Sequence, residues 1–567
     1  MAKAKYYVPD ERPWFKHYPD GVPHHIDYLN KPLYHLIDEA AEKSPDSTAM
    51  VFYGREMKYK ELKELSDRFA HYLQKLGVQK GDRVAILLPN CPQFVIAFWG
   101  ILKAGACVTS MNPGYTEREL SEILSSSGAE VILTLKALYP RLKNIQKQTK
   151  VKKVITTTIA DYFPLPLKIA FNIKNFFKQT KNSETENVFQ LIQVLSDSSN
   201  DYHESLIETE KDLAVLQYTG GTTGKPKGVM LTHWNLMVNT AQLKYWFPLE
   251  QGKEVLVCIV PFFHIGGITS SLTWGCCGAA KLVILPRFHT KPTLKAITKY
   301  KATAFIGVPA IYIALDSAIR KNKEKYSIDS LKLVGGGMTA FPHDLFDIYK
   351  ERYGKRLIEG YGLTENAGVT FHNVNIAEKE YRPGSVGFPF PDTDVKIVDR
   401  ATGMILGPDE AGEICLRGPH ITIGYWQRPE ENKKALKNEW LYTGDIGKMD
   451  KDGYFYVLGR KDNVIGVKGF QVYPREIENV LDKTDLVAEA AVVGIPDDYT
   501  GQKIIAYIVP EPGQFPTEKE LLEICRKNLV EYKVPSKIKI KKELPRSPVR
   551  KILKYVLREE AIKEEKT

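Results

Sequence analysis

The chain has 567 residues, 43% of them hydrophobic and 26% charged, with a net charge of +11 from 79 basic and 68 acidic side chains. It is too long for a single core and too apolar for a disordered or collagen-like chain, so two to four soluble domains or subdomains are expected. The basic residues are scattered, with no Lys/Arg block interleaved with aromatics to mark a nucleic-acid site; the plain reading is a well-solvated surface, and attraction to anionic nucleotides or a lipid surface is the sharper one.

The seven cysteines form no C-x-x-C pair and lie mostly in apolar surroundings, the pattern of reduced core thiols and a cytoplasmic home. Polar and aromatic residues follow Met1-Ala2-Lys3-Ala4-Lys5, so no secretory signal is expected. The longest apolar stretch, 84–108, is broken by Pro89, Asn90, Pro92, Gln93 and Lys103 and fails as a membrane span.

From residue 58, helical and strand periods alternate. Helix 58–76, buried strand 83–88, helix 92–103 and strand 107–111 are followed by a helix with a Thr116/Glu119 capping box and by strand 130–135. This alternation predicts parallel α/β layers. Residues 156–181 are expected to interrupt it, because Pro164 and Pro166 break the chain. Beyond them Ile169, Ala170, Phe171, Ile173, Phe176 and Phe177 project to one side of a helix, and Lys174, Lys178 and Lys181 to another. That segment reads either as a surface helix packed on its own domain or as a basic amphipathic helix in a membrane interface.

An apolar run at 213–216 leads into Tyr218-Thr219-Gly220-Gly221-Thr222-Thr223-Gly224-Lys225-Pro226-Lys227-Gly228. Glycines let backbone N–H groups approach an anion, threonines add hydroxyls and lysines add charge, which together make a phosphate cradle. It is not a Walker A loop, since Thr219 and Pro226 occupy positions that pattern reserves for other residues.

Strand 255–261, ending in Phe262-Phe263-His264, and strands 281–285, 302–308 and 331–334 continue the rhythm. Gly335-Gly336-Gly337-Met338-Thr339-Ala340 then precedes a predicted helix at 342–352, with Glu359 farther on, formally a dinucleotide fingerprint. Its mid-chain position and the unexplained phosphate loop count against a nicotinamide site. From 395 the texture shifts to short strands at 395–398, 412–416 and 453–457, a smaller β subdomain. After Gly459-Arg460-Lys461-Asp462 comes a small α+β unit, with helices 474–481 and 517–529, strands 488–493 and 503–509, and a basic tail. The expected division is therefore 1–460 and 461–567.

Three further clusters carry chemistry: Glu359-Gly360-Tyr361-Gly362-Leu363-Thr364-Glu365, Trp440-Leu441-Tyr442-Thr443-Gly444-Asp445, and Leu544-Pro545-Arg546-Ser547-Pro548-Val549-Arg550-Lys551. With the phosphate loop, in this order, they resemble the adenylate-forming family of acyl-CoA synthetases, luciferases and peptide-synthetase adenylation domains. The likeness runs from about Tyr28 to Leu557. Met111-Asn112-Pro113-Gly114-Tyr115-Thr116, Pro261-Phe262-Phe263-His264 and Gly469-Phe470-Gln471-Val472-Tyr473-Pro474 make it closest to long-chain fatty-acid–CoA ligases.

The resemblance implies an α/β fold, with a large AMP-binding domain of layered α/β subdomains plus a β subdomain and a small mobile C-terminal domain. It implies ATP, Mg²⁺ and coenzyme A. The loop residues Thr219, Gly220, Gly221, Thr222, Thr223, Gly224 and Lys227 would hold the β- and γ-phosphates, with Thr219 and Glu365 at the metal-linked positions. Gly335, Gly337, Glu359, Gly360 and Tyr361 would frame the adenine, Asp445 and Arg460 would bind the ribose, and Thr364 would donate to the α-phosphate. Lys551 would stabilise the transition state of adenylation, and His264 would lie beside the reacting carboxylate. Lys468, Gly469 and Phe470 would build the thiol channel after rotation about a hinge near Asp462. The acyl tunnel is expected along 262–278.

Arg550 stands where the family has glycine, and the hinge pair reads Asp462-Asn463 in place of Lys-Asp. The expected activity is ATP-dependent ligation of a long- or medium-chain fatty acid to CoA. The rivals are an aryl- or branched-acid ligase, an acyl-AMP ligase serving a carrier protein, and a non-catalytic membrane-bound lipid sensor. Peripheral membrane contact through 165–181 and a homodimer complete the expectations.

Overall fold

The computed structural model describes residues 12–176, 187–219, 226–322, 324–338, 341–374, 382, 384–467, 470–497, 500–546 and 551–565. Two large sheets dominate. The first has seven strands in the order Val188–Gln190, Lys153–Thr157, Val131–Leu135, Arg83–Leu87, Cys107–Ser110, Leu213–Thr219, Lys227–Thr232, parallel except for the final hairpin. The second has nine. Its parallel centre runs Thr48–Phe52, Lys281–Ile284, Val255–Cys258, Ala304–Gly307, Leu333–Gly336, Leu357–Leu363.

The apolar stretch 84–108 is divided by its prolines into strand Arg83–Leu87, helix Pro92–Lys103 and strand Cys107–Ser110. Every residue of that helix is buried, as expected of a helix that is apolar on all sides. Gly100 lets it cross the helix Tyr59–Lys75 closely, since a Cβ there would come within 2.8 Å of the Ser66 carbonyl. Among the described residues no helix is long and apolar enough to cross a membrane.

The Thr116 box forms: Glu119 Oε2 accepts the Thr116 N–H at 2.7 Å and Thr116 Oγ1 accepts the Glu119 N–H at 3.3 Å. As far as residue 176, the described part of 156–181 does not interrupt the α/β rhythm as expected; 177–181 lie outside the described residues. Strand Lys153–Thr157, helix Leu165–Phe176 and strand Val188–Gln190 extend it. Pro164 and Pro166 fall at the start of the helix, where a missing N–H is harmless.

A five-stranded sheet built on Asp394–Val398, Gly412–Arg417, Trp440–Met449 and Phe455–Arg460 forms the β subdomain. A separate five-stranded sheet, led by Ile465–Val467 and the long hairpin Val487–Asp497/Gly501–Pro510, has its own core and makes up the C-terminal unit. Its tail is the helix Lys554–Glu565, which carries acidic as well as basic residues.

Candidate active site

Thr219 and Lys227 face each other across an antiparallel ladder, so residues 220–225 join the two strands of a hairpin. Gly220, Gly221, Thr222, Thr223 and Gly224 lie outside the described residues.

A strap at Thr422–Trp426 links this hairpin to Glu365. Trp426 N–H donates to the Gly228 carbonyl at 2.7 Å, Met230 N–H to Gly424 at 2.9 Å and Thr422 N–H to the Glu365 carbonyl at 2.8 Å. The Tyr425 hydroxyl donates to Glu365 Oε1 at 2.9 Å, and the Lys227 ammonium sits 5.5 Å from the Tyr425 ring centre. Tyr425 therefore joins the phosphate-loop lysine to the candidate metal carboxylate, a role the sequence reading missed. Its available signal was Gly424-Tyr425-Trp426: Gly424 has φ +131°, and a Cβ there would meet the Asn432 amide at 2.9 Å.

Thr364 and Glu365 lie on a short 3₁₀ turn where strand Leu357–Leu363 ends, pinned by Leu363 N–H donating to Asn366 Oδ1 at 2.8 Å. In the separate sheet of the β subdomain, Asp445 and Arg460 are direct cross-strand partners. Arg460 Nη1 donates to Asp445 Oδ1 at 3.0 Å and to the Thr443 carbonyl at 3.2 Å, while the Tyr361 hydroxyl donates to Asp445 Oδ2 at 2.7 Å. Burial, and then the Asp445 charge, push the Tyr361 phenol well above its ordinary range, so it stays a donor.

The glycines of the dinucleotide-like stretch have a packing cause. A Cβ on Gly335 would lie 2.2 Å from the Ile358 carbonyl, on Gly337 2.4 Å from the Gly360 carbonyl, and on Gly360 2.6 Å from the His372 ring. Thr339 and Ala340 lie outside the described residues. Glu359, on the neighbouring strand, is buried; its Oε1 accepts the Phe341 N–H at 3.3 Å, and its Oε2 has no partner among the described residues. Burial raises its carboxyl to about 7, against the opposing pull of Arg475.

His264 does not end a strand, as the strand stops at Cys258; it caps the turn Ile265–Gly267. Its Nδ1 accepts the Gly266 N–H at 3.1 Å, which leaves the ring proton on Nε2. Two clamps hold the approach. Asn90 accepts from Phe262 N–H at 2.7 Å and donates to the Val260 carbonyl at 2.9 Å, and Gln217 donates to the Phe263 carbonyl at 3.0 Å. Burial, and then the Lys551 charge, bring His264 down to about 4. Beyond it, the buried π-helix Ile268–Thr273 borders a narrow cavity between Leu256, Val260, Ala304 and Ile306.

Lys551, from the C-terminal unit, is within electrostatic reach of this centre. Desolvation first and Arg460 second lower its ammonium, and Asp445 opposes them. The residue is nonetheless exposed to solvent. Arg550 lies outside the described residues, as do Lys468 and Gly469. Phe470 is exposed and stacks on Tyr532 of its own domain at 4.5 Å. The structure thus brings Lys551 toward the site and leaves Phe470 in solvent.

The oxygen donors Thr219 and Glu365 fit Mg²⁺. Tyr425 occupies Glu365 Oε1, and among the described residues no group of three or more His, Cys, Asp or Glu could hold a metal. Such a donor pair suits an ion that brings phosphate and water ligands with it.

Residues 37–426 match the AMP-binding enzyme family, and residues 476–551 match the AMP-binding enzyme C-terminal domain. The chain belongs to that family. It is 38% identical to a long-chain-fatty-acid–CoA ligase of Bacillus subtilis, over 97% of this chain and 98% of the relative. It is 32% identical to a 4-coumarate–CoA ligase of Vanilla planifolia, over 88% of each. Among solved structures, ATP-bound MatB of Rhodopseudomonas palustris superposes with a TM-score of 0.83 at 26% identity, covering 94% of this chain and 99% of that one. A Mycobacterium tuberculosis fatty acyl CoA synthetase superposes with a TM-score of 0.71 at 28% identity, covering 93% and 98%.

Proposed function

We propose that the chain is an ATP- and Mg²⁺-dependent fatty-acid–CoA ligase. The observation that carries the reading is the hydrogen-bonded set of Tyr361, Asp445 and Arg460, with Glu365 held by Tyr425 beside the strand of Lys227; the charge of Lys551 acting on His264 supports it. Full-length similarity to fatty-acid–CoA ligases supports the substrate class.

In the first step a carboxylate oxygen attacks the α-phosphorus of ATP, forming the acyl-adenylate and releasing pyrophosphate. Both reactants are anions, so fixed positive charge is worth most at the transition state. Thr219, Lys227 and the loop between them hold the leaving phosphates. Asp445 accepts from the ribose hydroxyls, Thr364 donates to the α-phosphate, and Gly335, Gly337, Gly360 and Tyr361 frame the adenine. Thr219 and Glu365 would hold Mg²⁺, which would neutralise phosphate charge. Lys551 supplies the mobile cation. His264, neutral above about pH 4, offers its Nε2–H to the carboxylate without adding charge. The acyl chain follows the π-helix Ile268–Thr273.

In the second step the CoA thiol attacks the adenylate carbonyl and AMP leaves. We divide the chain functionally at 460/461: the C-terminal domain turns so that Lys551 withdraws and Lys468, Gly469 and Phe470 approach. ATP and CoA make the cytoplasm the compartment this reading requires, and the bilayer is where a long-chain acid is held.

The test is mass detection of acyl-adenylate and acyl-CoA from palmitate, octanoate, acetate and coumarate with ATP, with and without CoA. Thioester from the fatty acids supports the proposal. Turnover of coumarate alone would make the chain an aryl-acid ligase, and adenylate without thioester would point to a carrier-protein acceptor.

A further inference from the structure

The helix Leu165–Phe176 is turned the unusual way round. Leu165, Ile169 and Ile173 recur every four residues and so form one line along it, and they are 71%, 51% and 67% exposed. The expected apolar side is split. Phe171 packs inward, its ring 5.7 Å from Phe163, and Phe163 in turn lies 4.8 Å from Tyr53, itself half exposed. One aromatic thus anchors the helix while a line of aliphatic side chains about 12 Å long faces out.

Charge selects what covers that line. Between Asp161 and Glu184 the sequence has Lys168, Lys174, Lys178 and Lys181 and no acidic residue. A second copy of the chain would set these lysines against their own kind. Three aliphatic side chains also fall far short of the roughly 800 Å² per partner that a standard protein interface buries.

We propose that this face docks on an anionic bilayer, with Leu165, Ile169 and Ile173 entering the headgroup boundary and Lys168 meeting lipid phosphates. The helix packs on the turn Ile159–Tyr162. That turn is tied to the reacting centre, for Gln93 donates to the Thr158 carbonyl at 2.8 Å and its neighbour Phe94 packs against Phe262 at 5.7 Å. Docking here holds the large domain and leaves residues 461–567 free to turn. The consequence for catalysis rests on the ligase reading; the binding itself does not.

The experiment compares co-sedimentation of the full-length protein with phosphatidylglycerol-containing and pure phosphatidylcholine vesicles, beside thioester formation from vesicle-borne palmitate and dissolved octanoate. Wild type should bind the anionic vesicles roughly tenfold more strongly, and less so at high salt. The triple variant Leu165→Ser/Ile169→Ser/Ile173→Ser should lose binding and slow on palmitate while keeping octanoate turnover. Lys168→Glu, which leaves the apolar line intact, should weaken anionic binding severalfold. Equal binding by wild type and both variants, or equal binding to the two lipids, overturns the proposal. A wild-type dimer that the triple variant dissociates, with no vesicle binding by either, assigns the face to a second copy and also overturns it. Wild type that binds vesicles but makes no thioester from any acid overturns the ligase reading and leaves the docking surface standing.

Discussion

Tyr361 donates its hydroxyl to Asp445 Oδ2 at 2.7 Å, joining the strand after the glycine-rich stretch to the β subdomain 84 positions later, while Arg460 holds the other oxygen at 3.0 Å. One buried carboxylate therefore organises two flanking donors. Asp445→Ala leaves the Tyr361 hydroxyl without its acceptor and Arg460 with only the Thr443 carbonyl, so the KM for ATP should rise at least tenfold, with a stability loss of about 1–3 kcal/mol. Tyr361→Phe removes one hydrogen bond and should cost about 1 kcal/mol. Steady-state kinetics and urea melts check both, and an unchanged KM in Asp445→Ala would remove Asp445 from the nucleotide site.

Lys551 serves only the first step in the proposed cycle. Lys551→Ala should cut ATP–pyrophosphate exchange on the order of a hundredfold or more, yet leave thioester formation from preformed acyl-adenylate near the wild-type rate. Equal loss in both half-reactions would show a general structural role.

Tyr425 fixes the carboxylate of Glu365 from the strap. Tyr425→Phe keeps the ring against Lys227 and deletes one charge-assisted bond, so the Mg²⁺ concentration for half-maximal adenylation should rise severalfold. Glu365→Gln should raise it further. A Mg²⁺ dependence identical to wild type in both variants would place the metal elsewhere.

The pH dependence of stability tests Glu359. Its folded pKa, about 7, lies above the ordinary value of 4.5, so the folded state keeps a proton that the unfolded state releases. The stability it contributes is complete below about pH 4.5, falls as pH rises through the window to 7, and stays lost above it. Glu359→Gln should abolish that decline in the nucleotide-free protein, gaining up to about 2–3 kcal/mol over wild type between pH 4.5 and 8. Parallel pH profiles of the two proteins would show that Glu359 ionises normally.

Much of this architecture was legible in the sequence because it is locally encoded. The prolines that divide 84–108 and the Thr116 box are short-range signals, and the structure reproduces both. Longer-range features were not legible. Nothing near Thr48–Phe52 announces that it will pair in parallel with Lys281–Ile284, more than 220 positions away. At 156–181 the prolines looked like breakers because their place in the helix could not be known without its first turn. In the site, acids and glycines were conspicuous, whereas Tyr425 matters through a contact 60 positions back in the chain.

The strand that supplies Arg460 ends with that residue, and the single turn Lys461–Asn463 separates it from the first strand of the C-terminal sheet at Ile465. One end of the connection is thus bolted to the nucleotide pair. Any swing of the small domain must be absorbed by the torsions of a handful of residues next to Arg460, because Arg460 cannot follow without releasing Asp445. In the proposed cycle such a pivot would behave like a door hung on its own lock plate: the Asp445–Arg460 pair would stay assembled while the small domain turned.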